Sequence, residues 1–263
     1  MKAGADSELV PRDTISAAIR GAVAQGRPAL IGYLTAGFPA RRGFMTHLAA
    51  VAGVCDVVEI GVPFSDPMAD GTTIQRASFA ALADGVTLPW ILDQLASQQP
   101  RHTAPILLMS YLNPLLAYGL HALPAAAAAA GVAGFIVPDL PFEESDELQR
   151  ALDQVGLALI QMVTPATPSD RLARLCREAK GFVYAVTMTG TTGKNAEVPN
   201  EVLAYMDRVR QCSSVPVCAG FGIRTKAQVE RFAAHVDGVV VGSALVEALE
   251  RGEDVRSFLT SLR

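Results

Sequence analysis

The sequence has 263 residues, half of them apolar, which suits one large domain with a continuous core. Its 22 Lys and Arg residues face 26 Asp and Glu residues without a basic block, and this net charge of -4 excludes a broad electrostatic surface for nucleic acid. No run reaches the roughly 18 apolar residues of a membrane span, and the N-terminus lacks a signal-like apolar core, so we expect a cytoplasmic protein without membrane contact.

The N-terminal residues 1–12 are expected to form a loose tail on a single domain that spans residues 1–263. Cysteine and histidine are scattered along the rest of the chain. The four cysteines show no close pairing, and none of the four histidines lies at metal-ligand spacing from another His or a Cys. We therefore expect reduced thiols and no metal site.

Eight short, β-rich apolar runs follow in chain order, each ending in Gly, Pro, Asp or Ser before a helical pattern. They cover residues 29–35, 54–60, 105–109, 132–137, 157–163, 181–186, 215–219 and 237–241. Near-continuous hydrophobicity predicts strands buried on both faces, as in a parallel sheet that is covered by helices.

Amphipathic helices are predicted between these strands. Two sets of apolar residues repeat at helical spacing: Leu172, Leu175, Cys176 and Ala179, and Val229, Phe232, Ala233 and Val236. Thr167 is predicted to cap a helix with Pro168 at its first position, and the alanine-rich residues 125–130 are predicted to be helical. Eight strand-helix units in about 250 residues predict an α/β protein, a single TIM (β/α)8 barrel with an extra N-terminal helix. A doubly wound sheet is disfavoured because the first strand lacks the glycine fingerprint.

Reactive groups of such a barrel lie at the C-terminal ends of its strands. That position selects Glu59, Asp70, Tyr111, Asn113, Asp139, Tyr184, residues 189–193, residues 220–222, Gly242 and Ser243. Alternation with Val57 directs the Glu59 carboxylate into the barrel, where burial would raise its pKa towards neutral pH. The alternative is a structural Glu bonded to barrel hydroxyls. Asp70 either faces the pocket or forms a turn with Gly71, and composition leaves this open.

Three glycine-bearing turns lie at the same predicted end of the barrel. They occupy residues 189–193, 220–222 and 241–243. The last two precede predicted helices, whose N-termini offer free N–H groups to an anion. Each could be a simple tight turn, but together they favour a phosphate site.

The segment 59–71, EIGVPFSDPMADG, is similar to the loop motif of tryptophan synthase alpha subunits, and this motif is highly specific. Five other segments resemble the family in the same order. They are YLTAGFP at 33–39, SYLNP at 110–114, VPDLP at 137–141, GFGI at 220–223 and VGSA at 241–244. The resemblance runs from about residue 13 to the C-terminal helix.

This resemblance implies a retro-aldol cleavage of indole-3-glycerol phosphate. Glu59 would move protons at indole C3 and the glycerol hydroxyl, and Asp70 would hold the indole N–H. The implied substrate-binding residues fall into two groups. Gly193, Gly222, Gly242 and Ser243 would hold the phosphate, and Tyr33, Ile136, Tyr184 and Phe221 would line the indole pocket, with Tyr111 and Thr192 also at the site. Core packing is the alternative role for the four pocket residues.

The resemblance also implies a partner, a beta subunit in an alpha2beta2 complex that receives the indole. Pyridoxal phosphate is expected only in that partner, and no cofactor is expected in this chain. Three alternatives remain open: a free-standing indole-producing lyase, a binding subunit that only activates its partner, and a different phosphate-binding barrel enzyme such as an isomerase.

Two positions depart from the family pattern. Thr72 replaces a proline that commonly follows Asp-Gly, and Thr191 replaces a valine in the loop after the sixth predicted strand. Thr192 matches the family threonine that is expected to bond Asp70. These changes put the kinetics of loop closure and the coupling to a partner in doubt.

Overall fold

The computed structural model describes residues 9–98, 101–187, 198–220 and 222–263, and a parallel sheet forms its centre. Within these ranges the strands are β1 (Ala29–Thr35), β2 (Val57–Gly61), β3 (Ile106–Met109), β4 (Val132–Ile136), β5 (Ala158–Leu159), β6 (Gln161–Val163), β7 (Val183–Val186), β8 (Val217–Gly220) and β9 (Gly238–Val241). Their order is β5-β4-β3-β2-β1-β9-β8-β7-β6. Only Ile160 separates β5 from β6 along the chain, so the sheet curls into a nearly closed barrel, and the predicted TIM barrel is confirmed.

The predicted fifth strand, residues 157–163, is split in the structure. β5 pairs with β4, whereas β6 pairs with β7, so the chain changes partners at Ile160. The Ile160 N–H still donates to the Phe135 carbonyl at 2.8 Å, while its buried side chain joins the barrel interior. The interruption is therefore the seam at which the barrel closes.

The helices surround the strands. The described ranges contain α1 (Pro11–Ala24), α2 (Phe44–Ala52), α3 (Thr72–Ala83), α4 (Leu88–Ser97), α5 (Leu112–Tyr118), α6 (Leu123–Ala129), α7 (Asp146–Gln154), α8 (Ser169–Glu178), α9 (Asn200–Cys212), α10 (Lys226–Phe232), α11 (Ser243–Glu250) and α12 (Val255–Thr260). Alternate strand residues serve two apolar clusters. Leu30 and Leu34 of β1 pack outward against the helices, whereas Ile31 and Tyr33 point into the barrel. This explains why the strands read as continuous apolar runs.

The extra N-terminal helix is α1, and it contributes to the inner cluster. Ile15 and Ile19 of α1 are fully buried with residues of the barrel interior. Arg12 belongs to this helix and not to a loose tail, because its N–H donates to the Gly156 carbonyl and its guanidinium pairs with Asp153 at 3.1 Å. Of the predicted tail, residues 1–8 lie outside the described residues.

The predicted start of α8 is wrong in detail. The helix begins at Ser169, Pro168 occupies the capping position, and no side chain caps it. The Thr167 hydroxyl instead accepts the Thr164 N–H at 2.9 Å and so closes the preceding turn. The alanine-rich helix is confirmed as α6. The two amphipathic patterns begin on α8 and α10, but Ala179, Ala233 and Val236 lie beyond the ends of these helices.

Candidate active site

Glu59 lies on β2 at the centre of the site, between Tyr33 of β1 and Leu107 of β3 in the strand register. It is 1% exposed, and neither carboxyl oxygen has a hydrogen-bond partner among the described residues. The alternative of a structural Glu bonded to barrel hydroxyls therefore finds no support. Burial raises the pKa of Glu59 to about 8, and the nearby charge of Asp70 adds to the effect. At neutral pH this group is a carboxylic acid with a proton to give.

Two buried tyrosines shape the barrel mouth around Glu59. A Cβ added at Gly61 would lie 2.0 Å from the Tyr33 hydroxyl, and one added at Gly220 would lie 2.1 Å from the Tyr184 ring. Both glycines thus provide the space that these rings occupy. The pKa of each tyrosine is raised by burial and also by the charges of Glu59 and Asp70, so both phenols lie near the two carboxyl groups. Gly61, the next inward-facing position after Glu59, was not among the predicted site residues.

Asp70 faces the pocket, and a hydrogen-bond network holds its loop in place. The Tyr111 hydroxyl accepts the Ala69 N–H at 2.9 Å, and the same hydroxyl lowers the pKa of the Asp70 carboxyl as a hydrogen-bond donor. The Gln75 side-chain amide donates to the Asp70 carbonyl at 2.9 Å. Burial raises the pKa of Asp70 to about 6, and the bond from Tyr111 opposes this rise. Asp70 is therefore ionised at neutral pH beside a protonated Glu59.

The loop that carries Asp70 is also held in place at Phe64. The Phe64 ring stacks on Tyr111 with 5.2 Å between centroids, and its backbone N–H and carbonyl both bond the Ser78 hydroxyl. Asp139, selected from its strand-end position, accepts the Leu112 N–H at 2.9 Å and so supports the start of α5. Asn113 lies exposed on α5. Asp139 thus has a backbone-supporting contact, and Asn113 is a surface residue.

Two glycine-bearing turns flank the mouth near β1. Gly242 is the capping residue of α11, and its carbonyl accepts the N–H groups of Leu245 and Val246. The N–H of Ser243 precedes the first intrahelical bond and points out of the helix end. A Cβ at Gly242 would lie 3.7 Å from the Tyr33 Cβ, whereas one at Gly222, with φ 63, would meet nothing within 4 Å. This arrangement can receive an anion beside the carboxyl groups.

The remaining predicted site residues are placed as follows. Ile136 ends β4 and packs in the inner cluster that also contains Tyr33 and Tyr184. Residues 189–193, with Thr191, Thr192 and Gly193, and also Phe221 lie outside the described residues. Their predicted contacts with Asp70 and the phosphate stay predictions.

Two further features of the described residues concern a metal site and a membrane-spanning helix. Among the described residues, no group of three or more His, Cys, Asp and Glu side chains could hold a metal ion. In the same part of the chain, no helix combines the length and the apolar character needed to cross a membrane.

The substitution Thr72→Pro is expected to stabilise the protein by about 0.4–1 kcal/mol. Thr72 is the first residue of α3, and Gly71 before it has φ -73 and ψ 163, an extended conformation that a following proline accepts. The first helical N–H has no partner within the helix, so proline removes no helical bond. Urea unfolding of both proteins measures the difference. Thr72→Ala, which changes the same side chain without fixing the backbone, is the matched control, and equal midpoints for Thr72→Pro and the parent would contradict the expectation.

Comparisons with known proteins support one family. The model of the tryptophan synthase alpha chain family matches residues 19–262. The alpha chain of Solidesulfovibrio magneticus is 46% identical over 243 residues, covering 92% of this chain and 95% of the relative, and that of Nitratidesulfovibrio vulgaris strain DP4 is 47% identical over 242 residues, covering 92% and 94%. The tryptophan synthase subunit alpha of Legionella pneumophila superposes with a TM-score of 0.85 at 31% identity, covering 95% of this chain and 96% of that chain. The aminoacrylate-bound tryptophan synthase of M. tuberculosis gives 0.85 at 34% identity, covering 95% and 97%.

Proposed function

The chain belongs to the tryptophan synthase alpha chain family, and from this membership we propose that Glu59 and Asp70 are its two catalytic groups. Its reaction is the cleavage of indole-3-glycerol phosphate into indole and glyceraldehyde 3-phosphate, a carbon-carbon lyase step of tryptophan biosynthesis. Indole passes to a beta subunit, which makes tryptophan. The buried carboxyl group of Glu59 beside Asp70, without a hydrogen-bond partner in the described part of the chain, is the observation that carries the assignment of roles.

In the first step, protonated Glu59 gives its proton to C3 of the indole ring. The ring becomes an indoleninium cation whose positive charge is shared with the N–H. Asp70, ionised and held by Tyr111, accepts a hydrogen bond from that N–H and stabilises the developing charge. The apolar surroundings strengthen this interaction because little solvent screens it.

In the second step, the Glu59 carboxylate takes the proton of the hydroxyl on the carbon attached to C3. The O–H electron pair forms the aldehyde C=O bond, the carbon-carbon bond breaks, and its electron pair restores the aromatic indole. Glu59 ends protonated, as it began, so protons and electrons balance. A single group with a pKa near 8 suits both directions of transfer.

The substrate is held at both ends in this proposal. Backbone N–H groups around Gly222 and Gly242, with the Ser243 hydroxyl, would hold the phosphate at the start of α11. Further contacts from Thr192 and Gly193, outside the described residues, stay predictions. Tyr33, Ile136 and Tyr184, which pack in one inner cluster, would line the indole pocket together with Tyr111. Phe221, which lies outside the described residues, is expected to join them from the family resemblance. In this proposal the reacting carbon lies between the phosphate site and Asp70.

The partner is a beta subunit, and we propose an alpha2beta2 assembly with pyridoxal phosphate confined to that subunit, in the cytoplasm. One surface suits partner contact. Met68, in the loop that carries Asp70, is 79% exposed, and Leu116 on α5 is 50% exposed. Tyr111, which immediately precedes α5, bonds this loop. A partner that covers Met68 and Leu116 would therefore bear directly on the position of Asp70.

Indole release from indole-3-glycerol phosphate by the purified chain is expected to be slow and to rise roughly tenfold or more when a beta subunit is added. The partner would hold the Asp70 loop in its reactive position. Fast release by the chain alone would point to a free-standing lyase, and no release in either case would leave a binding role. Substrate with beta subunit but without this chain is the control.

A further inference from the structure

Glu247 of α11 joins three elements that each carry part of the site. Its carboxylate receives two hydrogen bonds from Arg224, from Nη1 to Oε2 at 2.7 Å and from Nη2 to Oε1 at 3.0 Å. The Thr73 hydroxyl donates to Oε1 at 3.1 Å. The Arg224 guanidinium lowers the pKa of Glu247 to about 2, so the carboxylate stays ionised at any working pH.

Each partner lies close in sequence to a residue of the proposed site. Arg224 comes two residues after Gly222, Thr73 comes three residues after Asp70, and Glu247 lies one helical turn after Ser243. The turn after β8, the start of α3 and the start of α11 are far apart along the chain. Their relative position depends on contacts such as this one.

The Arg224–Glu247 ion pair restricts how the elements that carry it can move relative to each other. A guanidinium fork on a carboxylate fixes orientation as well as distance, and only 28% and 20% of the two side chains are exposed. A second ion pair joins α3 to α11 one turn further on, between Arg76 and Glu250, with 52% and 38% of the side chains exposed. This outer pair joins the same two helices farther from the starts of both, and it offers a matched control.

We propose that Glu247 is a positioning residue that holds the turn after β8 and the Asp70 loop in fixed register with the N-terminus of α11. The substrate phosphate and the indole N–H would then meet groups at a set separation. The carboxylate is occupied by Arg224 and Thr73, and Arg251 at the end of the same helix lies 3.8 Å from Oε2, so Glu247 acts through these partners and not on the substrate. The inference rests on the proposed phosphate site.

The test compares Glu247→Gln with Glu250→Gln, in the presence of saturating beta subunit. For Glu247→Gln we expect the KM for indole-3-glycerol phosphate and the inhibition constant of inorganic phosphate each to rise about tenfold. For Glu250→Gln both constants should stay within about twofold of the parent. Adding Glu247→Gln to Arg224→Gln should change them less than about twofold further, because the two residues act as one pair.

Two outcomes separate the inference from the function on which it rests. Competitive inhibition of the parent by phosphate, with unchanged constants in Glu247→Gln, would overturn the positioning role and leave the phosphate site intact. Absence of phosphate inhibition in the parent, with Ser243→Ala also unaltered in KM, would overturn both. If Glu247→Gln does not fold, Arg224→Lys replaces it, since lysine keeps the charge and loses the fork, and the same rise is expected.

Discussion

Glu59→Gln is expected to lower kcat for indole release by about 10³-fold or more, within the range known for removal of a general acid-base group. Glutamine keeps the size of the side chain but can neither give a proton to indole C3 nor take one from the hydroxyl. Because Glu59 has no hydrogen-bond partner among the described residues, the exchange breaks no contact there. Steady-state release with saturating beta subunit measures the loss.

The acid-to-amide control is Glu250→Gln, which removes an exposed carboxylate and should leave kcat unchanged. Phosphate inhibition of Glu59→Gln should match that of the parent, since the phosphate site lies on other elements. Near-normal indole release by Glu59→Gln would remove Glu59 from the mechanism.

Glu59→Gln is also expected to make the protein more stable at neutral pH. The pKa of Glu59 rises from 4.5 to about 8 on folding, so between these values the native state holds a proton that the unfolded chain has released. The free energy of unfolding therefore falls by about 1.4 kcal/mol per pH unit across this window. Glutamine does not ionise, and at pH 7 the gain is on the order of 3 kcal/mol. Urea unfolding at pH 5 and pH 7 should show the difference growing with pH.

The barrel could be predicted from sequence because its strands are buried on both faces and are therefore apolar along their length. Residues such as Leu30 and Ile31 face opposite clusters, yet both clusters are apolar, so the strands read as continuous runs. The seam at Ile160 was not predictable, because an apolar run does not record which strand each residue pairs with. The predicted helix cap at Thr167 was wrong because the Thr167 hydroxyl accepts the N–H of Thr164 instead.

Parts of the site followed from position and motif, and other parts did not. The inward direction of Glu59 followed from strand alternation, and its burial agrees with that expectation. The contacts of Glu247 join residues 174 and 23 positions away, and charge patterns along a chain do not specify such partners. The bond from Tyr111 to Asp70 could not be predicted either, because the two residues lie on different loops of the barrel.

Asp70→Asn is expected to lower kcat/KM by about 10²–10³-fold, the range known for loss of one group that stabilises charge in a transition state. Asparagine keeps the size of the side chain and can still accept the Tyr111 hydroxyl, but it carries no charge to balance the indoleninium cation. Release of indole with saturating beta subunit, measured against substrate concentration, gives the ratio. Tyr111→Phe, which removes the hydroxyl that supports Ala69 and Asp70 but keeps the Asp70 charge, should lose less.

The pH dependence of kcat/KM shows whether activity is lost at low pH because Asp70 takes up a proton or because the substrate phosphate does. In the parent, activity should fall below about pH 6 as Asp70 takes up a proton, and above about pH 8 as Glu59 loses the proton it must give. The Asp70→Asn variant should lose the acidic limb and retain an alkaline limb, moved to lower pH because the Asp70 charge no longer helps to raise the pKa of Glu59. Because a phosphate monoester also titrates near pH 6, an acidic limb that persists in this variant would belong to the substrate phosphate. Tyr111→Phe should move the limb to higher pH only if Asp70 causes it, since the Tyr111 bond lowers the pKa of Asp70.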